Sequence, residues 1–399
     1  LTTTPATTCI YCNEYKKFTD EHIFPAGMGG DDKDYLLKNL VCCDCNTQVF
    51  SPLEAQLMRN SPFAMGRLQF QPTGRTRGNK AKPPEFNPSR CVVVDDNGVI
   101  SEAHITAGFK TLILPQLQIF NNNIEIGGSN NHEINSFINE LKISLGSSVS
   151  VIVKRSNEID IYYEVSKYEW NGHDYIKTND DVYPKPPKGI WFENLGNNQD
   201  LNDGHPRLFK RLKGQIVIKL SRTAEISDFL SKVRRTLPQI SEDSQRKEKE
   251  LKNPLVNVGM KVEITKVFRA IAKIGVNFAC HEYGDNTVRQ ASFRTIKEYI
   301  LRGVGDSPVI DIPEIKELLS QEKRKIHLAI LYPQIIGSQN FLLFILQIYG
   351  GGVLLINLTN DFQQSLIFEP VVYEIDYSNN KVNRSLLHEY LHTLINQSH

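Results

Sequence analysis

The sequence predicts an α+β protein: a small N-terminal zinc-stapled strand–strand–helix (ββα) module, then a larger mixed, mainly antiparallel α+β region. Three observations predict it. Two Cys-x-x-Cys pairs, Cys9 with Cys12 and Cys42 with Cys45, bracket one short β-rich stretch, and each pair places two sulfurs on a tight turn suited to a metal tetrahedron. Later apolar segments of strand length are punctuated by Asn97-Gly98 and by Gly350-Gly351-Gly352, which read as hairpin turns. Separate runs of helical periodicity lie among them, the clearest at 261–281.

Composition narrows the classes. The chain has 399 residues with 46 Lys and Arg against 45 Asp and Glu, a net charge of +1. There is no global basic field, so any nucleic-acid contact has to come from local patches. No run of 18 or more apolar residues occurs, because the longest stretch, 341–358, is broken by Gln347 and three glycines, and no membrane partner is expected. The first eight residues carry neither a basic nor an apolar segment and do not read as a signal peptide. Five of the seven cysteines fall within the first 45 residues. That odd, clustered set is a metal pattern of a reducing compartment rather than a disulfide framework, and predicts a cytoplasmic protein.

In chain order, Cys9, Cys12, Cys42 and Cys45 supply four thiolates for a structural Zn2+, leaving Cys43 aimed elsewhere. Such a closed set has no open position for water, so catalysis has to sit between the knuckles. The stretch 19–25, Thr-Asp-Glu-His-Ile-Phe-Pro, reads as a first strand that Pro25 and the Gly27-Met28-Gly29-Gly30 cluster end in a wide loop. Asn39-Leu40-Val41 reads as the returning strand and Cys45-Asn46 as a helix opening. Ser51, Pro52 and Glu54 read as the capping box of a second helix, with contact between Glu54 and a metal as the alternative.

Acid-His-Ile-x-Pro, a Gly-Gly loop, Asn-Leu-Val-Cys and Cys-Asn, in that order over about residues 9–60, resemble the HNH (ββα-metal) endonuclease superfamily, in its zinc-knuckle form. The resemblance implies a hydrolase of phosphodiester bonds, with DNA favoured over RNA. It implies His22 as the base that activates water and Asn39 as the residue that orients it. Glu21 and Asn46 would hold a catalytic divalent metal, making the chain an HNN variant with Glu where Asp is commoner. Asp20 is an alternative ligand, on the opposite strand face from Glu21. Hard oxygen ligands suit Mg2+ or Mn2+, and imidazole suits a base near neutral pH. Chains joining such a module to a large unrelated region are often restriction or antiphage effectors, a role carried by analogy alone.

The expected organisation is a nuclease module at 1–66, a basic linker at 67–88, a β-rich domain at 89–200 and an α+β domain at 201–399 for recognition or regulation. Arg59, Arg67, Arg75 and Arg77 are candidate phosphate contacts around the linker. The stretch 171–204 reads as a loop. On the 261–281 helix, Lys266, Arg269 and Lys273 line one side as a solvated or phosphate-tracking stripe. A homo-oligomer or an activating ligand is compatible with the sequence. Two other classes remain: a non-catalytic zinc-knuckle DNA-binding protein, and a metalloprotease built on His388 and His392, whose His-Glu-Tyr-Leu-His run has zinc-protease spacing.

Overall fold

A computed structural model describes residues 8–30, 33–71, 76–77, 80–81, 84–120, 123–157, 160–195, 204–242, 251–313, 319, 325–362 and 369–397. The fold is α+β with several antiparallel sheets. The chain divides into two compact units: 1–89 with 106–110 and 260–399, and 90–105 with 111–259.

In the first unit, β1 (Phe18–His22) and β2 (Leu36–Cys42) form an antiparallel hairpin, with Phe18 opposite Cys42 and His22 opposite Leu36. Register slips between Thr19 and Glu21. The returning strand bulges there around Asn39, whose φ of +57° lies in the left-handed region that Asn tolerates better than most side chains. Gly29 and Gly30 close the loop at φ +80° and +87°, and a Cβ on Gly30 would stand 2.9 Å from Ile375. Instead of two helices meeting at a capped Ser51, one helical run covers 43–59, with wide π-type turns over Cys45–Phe50 leading into α1 (Ser51–Arg59). Ser51 has helical φ and ψ, so it caps nothing and Glu54 is released from a capping box. Pro62–Phe70 forms α2.

The downstream half of this unit is built on the helix Ile264–Tyr283, hereafter the central helix. A six-stranded antiparallel sheet packs beside it, in the order Val309–Ile310, Val353–Thr359, Gln339–Gln347, Ile326–Ile336, Val371–Asp376, Lys381–Leu386. The Gly350–Gly352 turn joins two neighbouring antiparallel strands, as expected. Phe278 of the central helix lies against Phe24 of the N-terminal module at 6.0 Å and against Phe344 of the sheet at 5.7 Å. One continuous apolar core therefore holds Cys9, Ile23, Leu57, Ile274 and Tyr373 together. The 67–88 stretch is in part built into the fold: α2 extends through residue 70, and Phe86 is buried.

The second unit carries a mixed eight-stranded sheet and a four-stranded sheet. The Asn97-Gly98 turn closes a hairpin as expected, with Asp95 Oδ1 accepting from the Asn97 and Val99 N–H groups. Within 171–204, Tyr175–Tyr183 and Ile190–Asn194 are strands of the larger sheet, not loop. The first is an edge strand, largely exposed and polar, so it lacks the apolar alternation by which strands are read. Strands on either side of the expected 200/201 division, Ile190–Asn194 and Arg207–Lys210, both pair with Ile216–Leu220. That division therefore runs through a single sheet.

Candidate metal and catalytic centre

The Sγ atoms of Cys9, Cys12, Cys42 and Cys45 lie within 4.8 Å of one another, the one group among the described residues that could hold a metal ion. Cys9 and Cys45 are 3.9 Å apart, Cys12 and Cys42 3.7 Å. A zinc ion bonded at about 2.3 Å to each of four tetrahedral sulfurs sets them about 3.8 Å apart, so the donor set fits zinc. Backbone N–H groups already point at these sulfurs, from Cys42 to Cys9 at 3.4 Å and from Cys45 to Cys42 at 3.5 Å. A hydrogen bond with Cys45 lowers the Cys9 thiol to about 4, burial pushes Cys12 up to about 11, and Cys45 is raised by its bond to Cys9. Four thiolates this close need a cation among them. Cys43 stands outside the cluster; its N–H bonds to the Lys17 carbonyl.

The cluster ties the chain before β1 to the end of β2 and the start of the helical run, which presents the remaining candidates around β1. Asn46 donates from Nδ2 to Thr19 Oγ1 at 3.1 Å and to the Asp20 carbonyl at 3.3 Å. It therefore bridges helix to strand and is no helix cap. Asp20 is exposed, Glu21 is buried and His22 is half-buried, an alternation that sends Glu21 to the opposite face from its two neighbours. Asn39 is exposed at its bulge.

Glu21 faces the central helix. Its carboxylate pairs with the fully buried Lys273 ammonium and accepts from Asn277 Nδ2 at 3.2 Å. Lys273 also reaches Glu54 at 2.6 Å and the His22 carbonyl at 3.4 Å. Asn277 Nδ2 donates to the same carbonyl at 3.0 Å, and the Tyr11 hydroxyl donates to Asn277 Oδ1 at 2.6 Å. Burial raises the Glu21 carboxyl above its ordinary range against the pull of Lys273. Burial also opposes the charge on Lys273, yet Glu21 and Glu54 together hold its pKa above the usual lysine value. The expected basic stripe is thus dismantled. Lys273 is internal, Arg269 donates to the carbonyls of Ile300 and Leu301, and Lys266 pairs with Glu263. Nothing in the sequence near 273 signals this, because its partners lie more than 200 residues away.

Arg59 pairs with Glu85 at 3.3 Å and is half-exposed. Arg67 is half-buried beside Gly27, and burial lowers its pKa. Its Nε has no hydrogen-bond partner among the described residues. Arg75 lies outside the described residues, as does the side chain of Arg77, whose backbone forms a short strand. His388 and His392 are exposed on the C-terminal helix Leu387–Gln397, near Glu369 and Asn396 respectively. Glu389 accepts from the Leu386 N–H at 2.9 Å and so caps that helix. No helix among the described residues is long and apolar enough to cross a membrane.

Neither a search of curated proteins nor one of solved structures returned a significant match. Residues 9–62, which hold the four cysteines, the hairpin and the helical run, match a family model described as HNH endonuclease, and that match identifies this segment as an HNH module.

Proposed function

We propose that the chain is a metal-dependent endonuclease that hydrolyses phosphodiester bonds in DNA at this HNH module. One observation carries the reading: the four-cysteine cluster and the Asn46 bonds to Thr19 and the Asp20 carbonyl tie the helical run to β1, the strand that carries Glu21 and His22. In this reading zinc on the four thiolates is structural. His22 accepts the proton of the attacking water, and Asn39, at the bulge opposite, orients it. Glu21 and Asn46 hold Mg2+ or Mn2+. When bound, that ion stabilises the extra negative charge on the phosphate and the leaving oxygen. Of these two ligands, Glu21 already faces a cation, the Lys273 ammonium, which it shares with Glu54 rather than with Asn46. Arg59, Arg67, Arg75 and Arg77 bind backbone phosphates. Arg67 fits this best, as a half-buried guanidinium with an unbonded Nε gains most from an anion.

The test is cleavage of supercoiled plasmid with Mg2+ or Mn2+, comparing the native chain with His22→Ala. Metal-dependent cutting that falls by about 100-fold or more in the variant is expected of a lost general base. Equal cutting by both removes His22 from that role. A zinc-knuckle module that binds DNA without cutting is the second reading, favoured by the hold of Lys273 on Glu21. DNA binding without cleavage under every metal condition would select it.

A further inference from the structure

We propose that Lys273 competes with the divalent metal for Glu21 and Glu54, so that the downstream half of the unit holds the HNH centre closed to metal until this ammonium withdraws. The inference rests on the reading of Glu21 as a metal ligand and adds to it a regulator from outside the module.

Three features support it. The hydrogen-bond and ion-pair partners of the Lys273 Nζ are oxygens, two carboxylates from separate elements and the His22 carbonyl, with the Phe50 ring 5.3 Å away. Those oxygens are the hard donor set a small divalent cation prefers. The position is also held from behind. Tyr11 fixes Asn277 through Oδ1, which turns the Asn277 amide N–H groups onto Glu21 and the His22 carbonyl. The carboxylate is thus oriented by a group other than the cation it binds. Finally, Lys273 sits in a helix segment whose other positions from 270 to 280 are buried and almost all apolar. A lysine there carries a large desolvation cost that its paired carboxylates chiefly offset. Two ionised carboxylates, Glu21 buried and Glu54 28% exposed, outnumber the one ammonium between them, whereas a divalent ion would neutralise both. Removing the ammonium without replacing it leaves both carboxylates uncompensated, so metal entry and lysine withdrawal are coupled.

The experiment measures Mn2+ binding to the full chain, with zinc supplied, by titration calorimetry and by the Mn2+-dependent shift in melting temperature. It compares the native chain with Lys273→Met, Lys273→Arg and the double variant Lys273→Met/Glu21→Gln. Lys273→Met should bind Mn2+ about 10- to 100-fold more tightly than the native chain, the range of an ordinary coupling between two binding events. Lys273→Arg should stay near the native affinity, and the double variant should lose the gain. Equal affinity in the native chain and Lys273→Met would overturn the proposal, as would a gain that survives Glu21→Gln. Should Lys273→Met fold only with metal, recovery by Mn2+ but not by added monovalent salt supports the competition, and no recovery overturns it. This readout is separate from cutting. A tighter Mn2+ site in a protein that never cleaves keeps the inference and removes the nuclease. His22-dependent cleavage with unchanged Mn2+ affinity does the reverse.

Discussion

His327 Nε2 lies 2.9 Å from the Met28 carbonyl, while its Nδ1 accepts the Tyr349 backbone N–H at 3.1 Å. The fully buried ring joins the sheet strand Ile326–Ile336 to the loop that follows β1. Its two bonds define one neutral tautomer, protonated at Nε2. A second proton on Nδ1 would face the Tyr349 N–H head on, among the rings of Tyr349 at 4.4 Å and Tyr377 at 4.7 Å.

This geometry predicts acid sensitivity of known sign. Burial pushes the His327 pKa from 6.5 down to about 3. The unfolded chain takes up the proton first, so stability falls as pH drops below about 6.5 and the loss from this group is complete near pH 3. The shift corresponds to a loss on the order of 5 kcal/mol. Urea unfolding at pH 7, 5.5 and 4 should therefore show a steep decline. His327→Asn should be less stable at pH 7 but decline less between pH 6.5 and 4. Parallel declines in both proteins would remove His327 as the cause.

Gly275 predicts the opposite of a helix-propensity rule. Replacing a mid-helix Gly with Ala ordinarily gains about 1 kcal/mol. A Cβ at Gly275 would stand 2.8 Å from Cδ1 and Cγ of Phe344. Phe344 is buried and backed by Phe278, so it has little room to retreat. Gly275→Ala should destabilise by about 1–2 kcal/mol, the range of overpacked cores. The double variant Gly275→Ala/Phe344→Leu should recover part of that loss. A thermal melt of the four proteins of the cycle checks both statements, and simple additivity would deny the contact.

What could be read from the sequence follows from how local each signal is. The Cys-x-x-Cys spacing, the acid-His step and the Asn-Gly and triple-glycine turns each act within a few residues, and they gave the module and the hairpins. The edge strand Tyr175–Tyr183 was hidden because its exposed face is polar. Ser51 misled because a local cap pattern lies inside a helix begun eight residues earlier by the knuckle. Lys273 is the reverse case. Its spacing with Lys266 and Arg269 is helical, but the carboxylates that bury it come from the other end of the sequence. The candidate site was legible as a set of residues in the module, and the helix closing over it was not.

Zinc removal should unfold more than the module. The four cysteines share a core with Ile271, Ile274 and Phe278 of the central helix, and Tyr11, between Cys9 and Cys12, bonds to Asn277. A four-thiolate zinc site contributes folding energy directly, on the order of 10 kcal/mol in isolated zinc-finger peptides. Chelation should therefore speed amide exchange first in 9–46 and then in the central helix around 273–277, because the Tyr11 and Glu21 contacts are lost with the hairpin. Cys42→Ser should lose the metal and show the same exchange pattern without chelator. Cys43→Ser, one residue along but outside the cluster, should keep one zinc per chain and native exchange. Metal content and hydrogen exchange on the two variants decide it. Loss of zinc in Cys43→Ser would mean that the ligand set is not Cys9, Cys12, Cys42 and Cys45. Exchange confined to 9–46 would mean that the central helix stands without the module.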